Sequence, residues 1–174
     1  SLTPIFNGRN LDGWNADDAL VASHWLVSDG QIIGDNPGKK GSVLWTKANY
    51  NNYELNLYFR TDSPDYDSGV FVRGPSHQVQ IGVSRSLKID LTGCIYCPKD
   101  LQGKYPIQSD KIKMTHKLGE WNTLKIRVIN NRIVTHLNGE LINDYMTAAM
   151  PKEGPIGLQV HAGIHQKMRF KNLD

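Results

Sequence analysis

His161 is the residue most ready to do chemistry at neutral pH, because an unperturbed imidazole changes charge near that range. It ends an alternating run, residues 154–161, in which Ile156, Leu158 and Val160 interleave with Gly157, Gln159 and His161. Side chains two apart on a strand share a face, so Gln159 and His161 belong together. Residues 77–81 repeat the pattern, with Gln78 and Gln80 against Val79 and Ile81. Residues 53–60 set Glu54, Asn56, Tyr58 and Arg60 against Tyr53, Leu55, Leu57 and Phe59. Gln, Asn, Tyr and Arg make directional hydrogen bonds, whereas an ordinary wet sheet face carries Lys, Thr and Glu. The pattern therefore reads either as a ligand-binding floor or as an antiparallel sheet with one solvated face. Arg73 would bring a fixed cation to substrate oxygens, unless it pairs with Glu54.

Other candidates carry plainer alternatives. Trp45 is the tryptophan best suited to stack on a ring-shaped ligand, while Trp25 and Trp121 read as packing residues. Asp62, Asp65 and Asp67 are crowded into one loop; hard cations favour such carboxylates, but the spacing is not that of an EF-hand and a solvated turn is the simpler reading. His77 alternates with core-type residues and reads as structural or at a sheet edge. Lys47 reads as solvated. Cys94 and Cys97 lie in an extended run, where their Cα atoms would be about 10 Å apart, too far for a disulfide without a bend. Two free thiols are expected. A divalent metal would be compatible with the chemistry, but no clear ligand set marks one.

The elements that must position these groups are almost all strands and turns. Asp29-Gly30, Asn130-Asn131 and Asn138-Gly139 punctuate alternating runs as hairpin turns. Residues 1–15 read as loop, 98–117 as a long polar insertion, and 147–150 as at most a turn; no convincing long helix is visible. About twelve short strands point to an all-β, two-sheet antiparallel sandwich. Leu55, Leu57, Phe59, Val79, Ile81, Leu124, Ile126, Val128, Ile156, Leu158 and Val160 are its expected core. The 174 residues suit one domain, 1–174. The net charge of +3 is small and Lys39-Lys40 is the longest basic run, so nucleic acid is not an expected partner. No apolar run reaches the roughly 18 residues of a membrane span. Oligomeric state is not encoded in any visible motif.

A series of short motifs carries a resemblance. Asn7-Gly8 with Leu11-Asp12-Gly13-Trp14, Tyr53-Glu54-Leu55, Ser68-Gly69-Val70 with Arg73, Val79-Gln80-Ile81, Thr92-Gly93 with Ile95-Tyr96, Gly119-Glu120-Trp121-Asn122, Leu137-Asn138-Gly139 and Gly157-Leu158-Gln159 with His161 occur in this order. Together they resemble the bacterial 3-keto-disaccharide hydrolase family over essentially the whole chain. The resemblance implies a concanavalin A-like jelly roll with a polar concave face. It implies a glycoside oxidised at C3 as substrate, a hydrolase or a lyase plus hydratase as activity, and a periplasmic or extracellular location, with any targeting segment ahead of Ser1. A C3 ketone acidifies the C2 proton, so such a site needs a base, an enolate stabiliser and a proton donor or metal at the leaving oxygen. His161 and Arg73 are the expected catalytic pair. Glu54, Gln78, Gln80, Tyr96, Gln159 and Trp45 are the expected substrate-binding groups, gathered on one face. The chain departs from the family's pattern where a glutamate is common at position 78, an acidic residue at position 58, and an aspartate shortly after Ile81. A non-catalytic carbohydrate-binding module on the same sandwich is the alternative these departures favour.

Overall fold

The structure, a computed structural model, describes residues 2–97 and 104–174. The first part of the 98–117 insertion thus lies outside the described residues. The chain runs through β1 (Trp14–Ala16), β2 (Trp25–Ser28), β3 (Gln31–Asp35), β4 (Ser42–Thr46), β5 (Tyr53–Thr61), β6 (Asp67–Val72), β7 (His77–Gly82) and β8 (Ile95–Tyr96). A single helical turn, α1 (Ile112–Thr115), precedes β9 (Asn122–Ile129), β10 (Arg132–Leu137), β11 (Glu140–Met146), β12 (Gly157–Val160) and β13 (Lys167–Lys171).

All pairings are antiparallel and build two sheets. One has six strands in the order β1-β4-β12-β6-β7-β8, the other seven in the order β11-β10-β9-β5-β13-β3-β2. Neighbours in space are mostly distant in sequence, so the two sheets close on each other as a sandwich. The turns follow their chemistry. Asp29 and Gly30 have φ of 52° and 70°, and Asn138 and Gly139 have 49° and 85°. Left-handed φ at both central residues gives the turn a twist that matches the flanking strands.

The side-chain alternation sets the core. Each of the eleven expected core residues, from Leu55 to Val160, is at most 2% exposed. They come from both sheets and belong to one continuous cluster. Trp25 packs at its edge with its indole N–H donating to Ser42 Oγ at 2.8 Å. Both cysteines are buried as thiols rather than joined in a disulfide, and burial pushes the Cys94 thiol up to about 11.

Besides α1, which falls inside the stretch read as a polar insertion, two short elements were not legible in the periodicity. Residues 14–16, inside a stretch that reads as loop, form β1 and pair with β4. A 3-10 helix spans Ala19–His24, where the Asp18 carboxylate accepts from the Leu20 amide at 2.9 Å. Such caps act over three residues, too short to leave a period.

Truncating Leu57 or Leu158, on opposite sheets, to Ala should cost about 2–5 kcal/mol each, measured by urea denaturation. An unchanged midpoint in both variants would contradict the placement of this core.

Candidate functional site

The outer face of the six-stranded sheet carries the site. Register lines up a row across it: Tyr96 opposite Gln78, then Phe71, Gly157, Trp45 and Asn15. The adjacent row is Gln80, Gly69, Gln159 and Val43. Beyond it lie Asp67 and His161, whose main chains meet through His161 N–H donating to the Asp67 carbonyl at 3.1 Å. The two glycines make the long side chains possible. A Cβ at Gly69 would sit 2.5 Å from Gln78 Cδ, and one at Gly157 would sit 2.7 Å from a Trp45 ring carbon. Without Cβ atoms in mid-row, Gln78 and Trp45 lie down across the sheet instead of standing off it.

The resulting cleft encloses about 380 Å³ and includes Asp67, Gln78, Gln80, Arg85, Tyr105 and His161 in its lining. Its polar groups are linked. Gln78 Nε2 donates to Gln159 Oε1 at 2.7 Å, and Gln80 Nε2 donates to Asp67 Oδ1 at 2.8 Å. Tyr105 hydroxyl donates to Gln80 Oε1 at 3.1 Å. The Arg85 amide donates to Asp67 Oδ2 at 3.1 Å, while its guanidinium grips Asp65 with both terminal nitrogens. Trp45 and Phe71 stack beside the glutamines with ring centroids 5.3 Å apart.

Asp67 is the carboxylate of the site, and its side chain is 4% exposed. Burial pushes its carboxyl above the usual range; the Gln80 hydrogen bond, the His161 charge and Arg85 pull the other way without cancelling that effect. His161 Nδ1 lies 2.6 Å from the Ala162 carbonyl. A carbonyl only accepts, so Nδ1 carries the hydrogen and Nε2 is the ring's acceptor. The cleft thus brings together a carboxyl biased toward its acid form and an imidazole whose Nδ1 hydrogen is taken up by the main chain.

Buried polar side chains hold both members. Gln166, 1% exposed, accepts from the Asp67 amide at 3.0 Å and donates to the Asp67 carbonyl at 2.7 Å. The Gln166 amide donates to Asn36 Oδ1 at 2.9 Å, and Asn36 Nδ2 donates to the His161 carbonyl at 3.1 Å. Ser68 Oγ donates to the Gln159 carbonyl at 2.6 Å. The backbone at Asp67 and at His161 is therefore fixed from beneath by a closed set of amides.

The structure gathers Gln78, Gln80, Tyr96, Gln159 and His161, with Trp45 alongside. It does not bring in Glu54 or Arg73. Glu54 points outward from β5, on the far face of the other sheet, and lines a depression there with Lys125 and Arg127. Strand parity places a side chain inside or outside but does not say which sheet's outside. Arg73 is 2% exposed and turns away from the cleft at the end of β6. Its guanidinium donates to the carbonyls of Asn51, Asn130 and Pro151 and to Asn52 Oδ1, at 2.6–3.2 Å. It ties three turns together and has no ion pair with Glu54.

The three aspartates of the 62–67 loop also separate. Asp62 meets Arg60 at 3.3 Å on the surface, Asp65 meets Arg85, and Asp67 enters the cleft. Asp67 shares parity with Gly69 and Phe71, so extending the β6 alternation back by two residues was the signal that would have found it. Arg85, Tyr105 and Gln166 carried no such signal, because loops bring them in. No group of three or more His, Cys, Asp or Glu is gathered to hold a metal among the described residues. Two larger depressions, about 790 and 730 Å³, lie on the seven-stranded sheet. Size alone does not select a site; convergent polar groups and a perturbed acid do.

This sandwich with its amide-lined cleft is a carbohydrate-active protein. The chain belongs to the 3-keto-alpha-glucoside-1,2-lyase-like domain family, whose model matches residues 1–174. It is similar to a candidate glycosyl hydrolase from Parabacteroides distasonis ATCC 8503, at 25% identity and a TM-score of 0.73, covering 98% of this chain and 96% of that one. A second candidate glycosyl hydrolase from the same organism is 21% identical with a TM-score of 0.68, covering 98% and 91%. The carbohydrate-binding module CBM66 from Bacillus subtilis shares the fold at 14% identity and a TM-score of 0.59, covering 92% and 93%. No match is found among curated proteins.

Two measurements follow from this geometry. The folded pKa of Asp67 is raised, so between its unfolded value and its folded value the native state holds a proton the unfolded chain has lost. Stability should therefore fall as pH rises through that window, and Asp67→Asn should flatten the dependence in urea titrations from about pH 4 to 8. Asp65 and Asp144 are shifted down, so their contributions are lost only at lower pH, as it falls through their folded values. Arg73→Leu leaves three turn carbonyls without their donor and should cost about 3 kcal/mol in the same assay, with saccharide binding per folded molecule preserved.

Proposed function

We propose that the cleft binds a saccharide oxidised at C3 and opens its glycosidic bond by elimination, with His161 as base and Asp67 as acid. The observation that carries this reading is the pairing just described: a His161 ring oriented through Nδ1 by the Ala162 carbonyl, in one cleft with a carboxyl held toward its protonated form, above a floor of amides. Environments that push two titratable groups apart define an acid and a base. Nε2 would take the C2 proton, and the C2–H electron pair would move into the C2–C3 bond as the C3 carbonyl becomes an enolate. Collapse of the enolate would break the C1–O bond, and Asp67 would give its proton to the departing oxygen. Addition of water to the resulting enone would restore the keto-sugar, so the net change is hydrolysis. Gln78, Gln80 and Gln159 present donors and acceptors to sugar hydroxyls, and Tyr96 closes the row. The Trp45–Phe71 stack lies further along that row, where a second ring would rest.

In this proposal residues 1–174 act as one domain, and Arg73 and Glu54 have no part in the reaction. A periplasmic or extracellular location fits a saccharide substrate, and no helix among the described residues is long and apolar enough to cross a membrane. The test is a screen of 3-keto-glycosides for turnover, with and without divalent metals, followed by His161→Ala and Asp67→Asn. Each variant should lower turnover by about 10²–10⁴-fold while binding changes far less, because proton transfer occurs only in the transition state. Full turnover in His161→Ala would remove it as the base. Saccharide binding with no turnover in the parent would assign the chain as a binding module instead, a role for which the Gln-lined floor is equally suited.

A further inference from the structure

A second cluster of titratable groups lies under the cleft and takes no part in the proposed chemistry. His116 has a side chain only 2% exposed, yet both ring nitrogens are engaged. Nδ1 is 2.6 Å from Asp90 Oδ2, and Nε2 is hydrogen-bonded to the Tyr66 hydroxyl. Tyr66 is itself 1% exposed. Thr92 Oγ1 donates to Asp90 Oδ1 at 2.6 Å and accepts from the Gly82 amide at 2.8 Å. Phe59 and Tyr66 pack edge-on against the imidazole, each with centroids 5.8 Å away. Burial pushes the Asp90 carboxyl up, but the hydrogen bond and charge of His116, with the bonds from Thr92, outweigh it and hold it below the usual range. Asp90 keeps 30% of its side chain exposed, but the His116 ring it holds is buried with both nitrogens engaged, so moving either partner leaves a buried polar ring unpaired.

The three members come from three separate segments, and each segment carries part of the cleft lining. Tyr66 immediately precedes Asp67. Asp90 closes the loop that begins at Val83, with which it forms an isolated bridge, and that loop carries Arg85. His116 follows α1 and anchors the far end of the stretch that carries Tyr105. We infer that Asp90, His116 and Tyr66 form a latch, buried at its His116 and Tyr66 side chains, that sets the wall of the cleft, with His116 as a positioning residue for Asp67, Arg85 and Tyr105. The inference rests on the reading of that cleft as a saccharide site, but the latch itself can be measured without a ligand.

Tyr66→Phe keeps the ring and removes only the hydroxyl; His116→Gln removes the ring's two-sided bonding. Hydrogen exchange should rise about tenfold or more at residues 83–92 and 104–117 in each variant, equivalent to about 1.4 kcal/mol of local opening, while β9 stays protected. Affinity for methyl 3-keto-α-glucoside, by calorimetry, should fall about tenfold in each variant. The double variant should be no worse than His116→Gln alone, because the two groups act as one unit. Leu158→Ala is the control for plain destabilisation. Exchange that rises evenly across all strands, as in that control, would overturn the latch, as would unchanged exchange at 83–92. If the parent binds no keto-glycoside, the saccharide reading fails and the exchange pattern still decides the latch.

Discussion

Asp67 is held where its charge is unwelcome, and much of the surrounding structure exists to keep it there. A carboxylate at the start of a strand, on the face away from the core, would ordinarily turn to solvent. Here Gln166 grips its amide and carbonyl together, as a neighbouring strand would, and does so from a loop. Its side chain then lies under Gln80, the Arg85 amide and the Arg85 guanidinium. Donors of this kind favour the ionised form and burial opposes it, and burial prevails. The arrangement yields a group that keeps its proton at a pH where a surface aspartate does not, which is the property an acid catalyst needs.

Arg73 shows the same economy used for a different end. A guanidinium has five donors in a rigid fork and cannot deprotonate, so it suits a place where several carbonyls converge. The turns before β5, after β9 and near Pro151 each present one. Gly154 packs so closely that a Cβ there would lie 2.4 Å from the Arg73 carbonyl carbon. A cation next to a glycine-bearing strand motif reads in sequence as a ligand for substrate oxygens. Its actual partners are main-chain oxygens from three turns, which leave no trace in local sequence.

The fold was legible because period-two alternation is a strictly local property. Leu55, Leu57 and Phe59 or Ile156, Leu158 and Val160 declare their face without reference to the partner strand. The site was legible only where that parity sufficed. Gln78 and Gln80 lie far from Gln159 in sequence, yet each alternates with core residues on strands that enter the same sheet. Glu54 and Tyr58 obey the same rule on β5, but β5 belongs to the other sheet, so their outward face looks away from the cleft. An acidic residue at position 58 could not have joined this site either. The assignment of strands to sheets depends on long-range pairing, such as β12 with β6 across 90 residues of chain, and no periodicity contains it.

The relocation of carboxylates is the most informative departure. Position 78 carries a glutamine that spends its amide on Gln159, which makes the pair a neutral, hydroxyl-matching floor. The cleft's carboxylate instead comes from the start of the preceding hairpin strand, Asp67, opposite Gly82. That pairing requires a residue without a side chain: Gly82 has φ of 93°, and a Cβ there would sit 2.4 Å from the Tyr66 carbonyl oxygen. With an aspartate or any other side chain at position 82, Tyr66 could not reach His116 and Asp67 could not sink beneath Gln80. Placing the cleft carboxylate on β6 and keeping its neighbour on β7 a glycine are therefore one structural choice, forced by the close approach of the two strands.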